Sequence, residues 1–267
     1  MRVANTSSNL KTSKPKTSTR IQPLPMKNTL HILTGLALAL TLASCGKKEE
    51  AKGGGTAAAP ASAAAPAGDL EEIKLEFPKP MFIGTPVPAE LPNLEKADPS
   101  KVIKSFQAPK GTVNLAKGKK VTSSDAAPII GDLTLVTDGD ADGADGSFVE
   151  LMPGKQWVQI DLEAPATLYK IAMWHYHKQA QAYIDVVVQV SDDPEFKTGV
   201  TTLFNSDHDD TSAMGKGSDP AYVETNHGRV IDAKSTKARY VRLWSNGNTS
   251  NDMNHYCEIQ VYGTPAK

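Results

Sequence analysis

The chain has 267 residues, 29 Lys/Arg against 30 Asp/Glu, a formal net charge of −1 and two cysteines. That length gives one or two domains, large enough to bury a core without disulfides. Near-neutral charge and the lack of a basic stripe leave no electrostatic basis for holding nucleic acid.

From Met26 the sequence runs "MKNTLHILTGLALALTLASCG": a basic start, an apolar run over residues 30–42, then small residues before Cys45. The run is too short for a comfortable transmembrane helix and has the shape of a secretory signal. Residues 1–25 read as an upstream extension of a signal that begins at Met26, and no Arg-Arg pair supports twin-arginine export. The ending "LASC" resembles the lipobox of bacterial lipoproteins. That resemblance implies cleavage before Cys45, a lipid on its sulfur, and a chain held to a membrane of the bacterial cell envelope, at its periplasmic or outer membrane face. An ordinary cleaved signal leaving Cys45 free is the alternative. Loss of the signal region 1–44 removes six basic and no acidic residues, leaving 23 against 30 and a net charge of −7. With Cys45 lipidated, Cys257 has no disulfide partner.

Residues 45–76 form a tether whose "GKKEEAKGGGTAAAPASAAAPAGD" is low-complexity sequence that buries nothing. Over 77–112, Pro78, Pro80, Pro86, Pro88, Pro92 and Pro99 exclude helix and central strand. The apolar residues between them (Met81, Phe82, Ile83, Leu91, Leu94) fit an extended arm lying on a folded domain, or a plain disordered stalk. The globular part is 113–267. Its pattern is short runs of period two broken by Gly, Asp and Asn. "QWVQIDL" puts Val158, Ile160 and Leu162 on one face; "LYKIAMW" does the same with Tyr169, Ile171 and Met173; "YIDVVVQVS" with Ile184, Val186, Val188 and Val190. "ARYVRLWS" and "HYCEIQVYG" close the chain, and no helical window matches them. Roughly eight strands in this span predict an all-β antiparallel sandwich.

Five stretches in order, "LVTDGD", "WVQIDLEAPATLYKIAMW", "DVVVQVSDDPEF", "ARYVRLWS" and "CEIQVYG", resemble discoidin, or coagulation factor 5/8 type C, domains, above all the family 32 type of carbohydrate-binding module. The resemblance covers about 114 to 263. It implies a galactose-binding-like jelly roll that binds ligands, commonly galactose-type sugars, through loops at one end, without catalytic machinery. Departures are the insertion "DGADGS" after the DGD loop and the long loops "NSDHDDTSAMGKGSDP" and "SNGNTSNDMNHY".

The segment 138–145, "DGDADGAD", crowds four aspartates into eight positions. It opens like an EF-hand loop, but the twelfth position is Val149, Glu150 misses by one, and no helical pattern flanks it. Carboxylates and inward-turning carbonyls between glycines suit calcium. The resemblance implies a structural calcium held by Asp138, Asp140, Asp142 or Asp145, and Glu258. A solvated acidic turn is the alternative.

Five of the six histidines lie in the domain. A sugar site needs rings for apolar faces and amides, carboxylates or imidazoles for hydroxyls. His175, His177 and Tyr183 come from one connection, Asp207 and His208 from another, and Asn246, Asn248, Asn254 and His255 from a third. Together they are the expected ligand-binding set. Trp157 and Trp244 read as core or sheet-face residues. No H-E-x-x-H, CxxC or nucleophile–base set occurs, so no enzyme is expected. Two alternatives stay open: a protein-interaction or scaffold module using the arm, and a metal-dependent enzyme built from the His/Asp loops.

Overall fold

Nearly all regular structure is strand. The computed structural model describes residues 69–81 and 89–266; Cys45, the signal region, most of the tether, and Phe82, Ile83, Pro86 and Pro88 lie outside the described residues. The strands are β1 (Leu70–Lys74), β2 (Ser105–Pro109), β3 (Val113–Asn114), β4 (Val121–Ser123), β5 (Val149–Leu151), β6 (Gln156–Trp174), β7 (Val187–Ser191), β8 (Thr201–Asn205), β9 (Arg229–Ser245), β10 (Asn254–Tyr256) and β11 (Glu258–Pro265). The main sheet has the order β3-β11-β6-β9-β7-β8, with β4 also on β6; β5 pairs β10, and every strand pair is antiparallel.

The long strands β6 and β9 make the sandwich by turning a corner. Their register shifts twice: between Asp161 and Ala166, where Glu163 (φ 70°) lies, and between Leu168 and Lys170, opposite Lys234 (φ 53°) and Ser235 (φ 57°); all three occupy the left-handed region. That backbone is disfavoured for L-residues, and short polar side chains offset the penalty locally. Asp161 accepts the Glu163 amide at 2.7 Å and Asp232 accepts that of Lys234 at 2.9 Å. Arg239 forks onto Asp161 at 2.8 and 2.9 Å. Residues from both sides of the corner, Val158 and Ile160 with Leu168, Ile171 and Met173, and Ile231 with Val241 and Leu243, share one buried core. The far ends therefore meet again. Gln156 pairs Ser245, Ser245 Oγ lies 2.8 Å from Tyr256 OH, and Glu258 pairs Trp174. The loops between these points gather at one end.

The residues at 158/160/162 and 186/188/190 are buried and share the core as expected, but Ile184, expected on the same face, is only partly buried, and Val187 and Gln189 are buried as well. In β6 the expected core residue Tyr169 is only partly buried while Leu168 is fully buried. The register shift between Leu168 and Lys170 moves the face by one residue. Trp157 and Trp244 lie opposite each other on the outer sheet face, partly buried, with the Arg242 guanidinium 4.3 Å from the Trp157 ring and 4.1 Å from Phe196.

The arm is docked. Strand β1, which starts inside the span read as tether, pairs with β2, and Leu75, Phe106 and Ala108 form a small buried cluster against Val230 and Tyr262. Further on, Leu94 bridges Ala221 in parallel, and Arg229 forms an ion pair with Glu95. At the loop end Gly228 (φ +60°) has no room for a side chain: a Cβ would stand 2.5 Å from the Met173 carbonyl and 2.7 Å from the Trp174 ring.

Candidate functional site

Three groups of polar residues share the loop end. The first joins the aspartate loop to β11. Glu258 is fully buried; its Oε2 accepts the Gly139 amide at 3.2 Å and its Oε1 is buried without a partner. Asp142 Oδ1 is likewise buried and unpartnered. Asp138 accepts the Asp140 amide at 2.8 Å and Asp140 that of Asp142 at 2.9 Å, so the loop winds as successive Asx turns. Burial, with the nearby charges of Asp138 and Asp140 and against the Gly139 hydrogen bond, pushes the Glu258 carboxyl up to about 8. Asp145 stands apart, exposed and ion-paired with Lys178 at 2.9 Å. No three of Asp138, Asp140, Asp142, Asp145 and Glu258 bring ligand atoms within 4.8 Å of one another; among the described residues only Asp185, Asp207 and Asp209 do.

The second group is a buried network. His175 Nδ1 lies 2.6 Å from Glu224 Oε1, both side chains fully buried, and the imidazole stacks on Tyr183 at 4.2 Å and 18°. Gln181 donates to Tyr183 OH at 2.9 Å, so that hydroxyl donates onward to His255 Nδ1 at 2.7 Å. Nε2 of His255 then carries the proton and donates to Glu150 at 2.9 Å. Burial lowers the pKa of His255; Glu150 opposes that shift and His175 adds to it. Asn248 donates to Asn251 and to the Met253 carbonyl; Asn254 accepts from Ser245 and Gly247 and donates to the carbonyls of Met152 and Gly154. His177 is 2 % exposed, with Nε2 2.9 Å from the Ala141 carbonyl. The structure thus gathers His175, His177, Tyr183, Asn248, Asn254 and His255, but as the interior of the loop end. Their polar groups face one another, where the sequence places them toward a ligand.

The third group is open to solvent. A recess of about 240 Å³ is lined by Leu91, Asn93, Ile184, Asp185, His208 and Asp209, among others. Asp207 supports it from below, fully buried. Burial disfavours its charge, but hydrogen bonds from Ser212 and from the Asp210 and Thr211 amides outweigh that and lower its pKa. Asn246 donates to Asp185 at 2.9 Å. So Asp207, His208 and Asn246 of the expected set come together here. Asp185, Asn93, Glu150 and Glu224 were not among the expected residues. Asp185 interrupts a valine-rich run, the one signal the sequence offered, and its φ of 52° is left-handed; a single Glu or Asn carries none.

The family model for the F5/8 type C domain matches residues 120–259. A comparison with curated proteins found no match. Among solved structures, the chain is similar to a family 89 glycoside hydrolase from Clostridium perfringens (20% identity, 58% of this chain and 15% of that one, TM-score 0.43). It is also similar to chitosan-binding module 1 of a chitosanase/glucanase from Paenibacillus sp. IK-5 (21%, 57% and 99%, 0.39). A third is a fucose binding module from Streptococcus pneumoniae (18%, 56% and 97%, 0.39). The chain thus spans a small part of the hydrolase and nearly the whole of each module.

Proposed function

The chain belongs to the F5/8 type C domain family, and from that premise we propose that it is a non-catalytic module that binds the end of a carbohydrate chain at the loop end of its sandwich. The observation that carries this is the open recess. Carboxylates of Asp185 and Asp209 and the imidazole of His208 offer acceptors and a donor to hydroxyls, and Leu91 and Ile184 offer apolar wall to C–H faces. Its volume lies below the ~300–1,000 Å³ of pockets that enclose drug-sized ligands, which suits one end of a glycan. On a broad glycan array the purified protein is expected to bind a defined set of sugars. Asp209→Asn and His208→Ala should each weaken that binding by roughly tenfold, the value of one hydrogen bond to a charged or polar group, without shifting the melting temperature. An array on which nothing binds would favour the scaffold reading.

The same proposal gives the aspartate loop a structural calcium. The donor types fit: hard carboxylate oxygens, two of them buried with no hydrogen-bond partner, Glu258 Oε1 and Asp142 Oδ1; since no three of these carboxylates converge within 4.8 Å, much of the shell falls to loop carbonyls. Asp138 and Asp140 each keep a second carboxylate oxygen outside the Asx turns, and loop carbonyls would complete the shell. When bound, the cation supplies positive charge to carboxylates that otherwise repel. Glu258 ties the loop to β11, and Asp145 is assigned to Lys178 instead.

Anchoring through a lipid on Cys45 completes the reading and rests on "LASC" after the apolar run. Cys45→Ser is expected to leave the protein unlipidated and out of the membrane fraction; a variant that fractionates and migrates as wild type does would remove the anchor.

A further inference from the structure

His177 has no place in the sugar recess, and its surroundings assign it elsewhere. The peptide joining Ala141 to Asp142 is hydrogen-bonded at both ends. Its carbonyl meets His177 Nε2 at 2.9 Å, and its amide donates to Asp140 at 2.9 Å. A carbonyl only accepts, so Nε2 bears the proton and donates. That peptide carries Asp142, whose Oδ1 is the buried, unpartnered acceptor of the loop.

The fit of imidazole to loop is close. A Cβ on Gly143 would lie 3.1, 3.2 and 3.3 Å from three ring atoms of His177. On either side in sequence, Tyr176 packs against Phe148 at 4.8 Å and Lys178 pairs with Asp145 at 2.9 Å. His177 and Lys178 therefore hold the aspartate loop itself, and Tyr176 holds Phe148 just beyond its end. Nδ1 of His177 is buried with no partner. An apolar ring of the same size would fill the space without that penalty, so what imidazole adds is the Nε2–H donor.

We propose that His177 is the positioning residue of the calcium loop: it fixes the Ala141–Asp142 peptide and, through it, the Asp142 carboxylate for the cation. This rests on the calcium reading of the loop. It extends the site to a residue that touches no metal, and it withdraws His177 from sugar recognition.

The test is calcium titration of the full purified chain by calorimetry, with melting curves in chelator and in calcium. His177→Phe keeps the ring and removes the donor; His177→Gln restores a donor toward the Ala141 carbonyl. Loss of a partner that orients a ligand typically weakens metal binding about 10–100-fold. That loss is expected for the Phe variant, whose melting temperature in chelator should fall only by the cost of the unpaired Ala141 carbonyl, offset by removal of the unpartnered Nδ1, while the Gln variant stays close to wild-type affinity. Gly143→Ala, which crowds the ring without altering a carboxylate, should weaken calcium in the same direction and serves if the Phe variant does not fold. Wild-type affinity in H177F or in G143A overturns the role of His177 alone. A folded wild type that takes up no calcium overturns the calcium reading and this role with it.

Discussion

Glu224→Ala is expected to be among the most damaging single changes in the domain, lowering the melting temperature by roughly 10 °C. Its carboxylate and the His175 imidazole are both fully buried and 2.6 Å apart. Removing one partner of a buried pair costs about 3–5 kcal/mol, because the other is left without solvent or a mate. In a domain of this size each kcal/mol shifts the midpoint by about 2–4 °C. The damage should spread: the Glu224 amide donates to the Gln181 carbonyl at 2.8 Å, and Val223 bridges Ala182. Sugar binding is therefore expected to weaken too, since Ala221 lines the recess. The paired change His175→Phe with Glu224→Leu removes both polar partners and should recover most of the lost stability. Thermal scans of the single and double variants decide the matter; a loss below ~1 kcal/mol in Glu224→Ala would mean that the pair is hydrated in solution.

In chelator, stability is expected to fall as pH rises from about 4.5 to about 8. The sign follows from Glu258, whose carboxyl is pushed from 4.5 up to about 8 in the native protein. Between those values the unfolded chain has released this proton and the native state still holds it. The unfolded state binds fewer protons, so stability drops with pH. At ~1.36 kcal/mol per unit the full effect is at most about 5 kcal/mol. Bound calcium favours the carboxylate form and should flatten the dependence. At a hundredfold excess over its dissociation constant it adds about 2.7 kcal/mol. Magnesium should replace it poorly, since it dehydrates reluctantly and demands octahedral geometry. Glu258→Gln is expected to abolish the calcium response and the fall with pH, leaving the opposite, rising contribution of His255, whose pKa burial lowers. Urea melts between pH 5 and 8, with and without chelator, measure all of this. Identical curves in metal-free and calcium-supplied protein would leave the loop a solvated turn.

Much of the fold was legible because burial on one face imposes a period of two. Val158, Ile160, Val186 and Val188 read directly as core. Tyr169 did not, because a bulge is a backbone event that leaves no mark on composition. The loop end was legible in membership and illegible in orientation. Histidines and asparagines in long loops look alike whether water or other side chains satisfy them. Only the fold shows that Glu224, 49 residues on, closes over His175, or that Asn254 saturates all its bonds internally. The aspartate loop announced its carboxylates. Its tie to Glu258 came from a resemblance, and the grip of His177 on the Ala141 carbonyl had no sequence signal.

The β1–β2 pair has a mechanical consequence. Leu70, the first residue of β1, pairs with Pro109, the last of β2, and the sandwich begins four residues later at Val113. A load applied upstream of Leu70 is thus resisted at the same end of the ladder. Its hydrogen bonds take the strain one at a time, in a zipper rather than in shear. The pair gives way before any strand of the sandwich is loaded. The chain from Leu70 to Asn93 then pays out at up to about 3.3–3.6 Å per residue, with the Leu94–Ala221 bridge and the Glu95–Arg229 ion pair as the next catch. The recess shares that catch: Leu91 and Asn93 line it, so it keeps its wall only while the Leu94–Ala221 bridge holds.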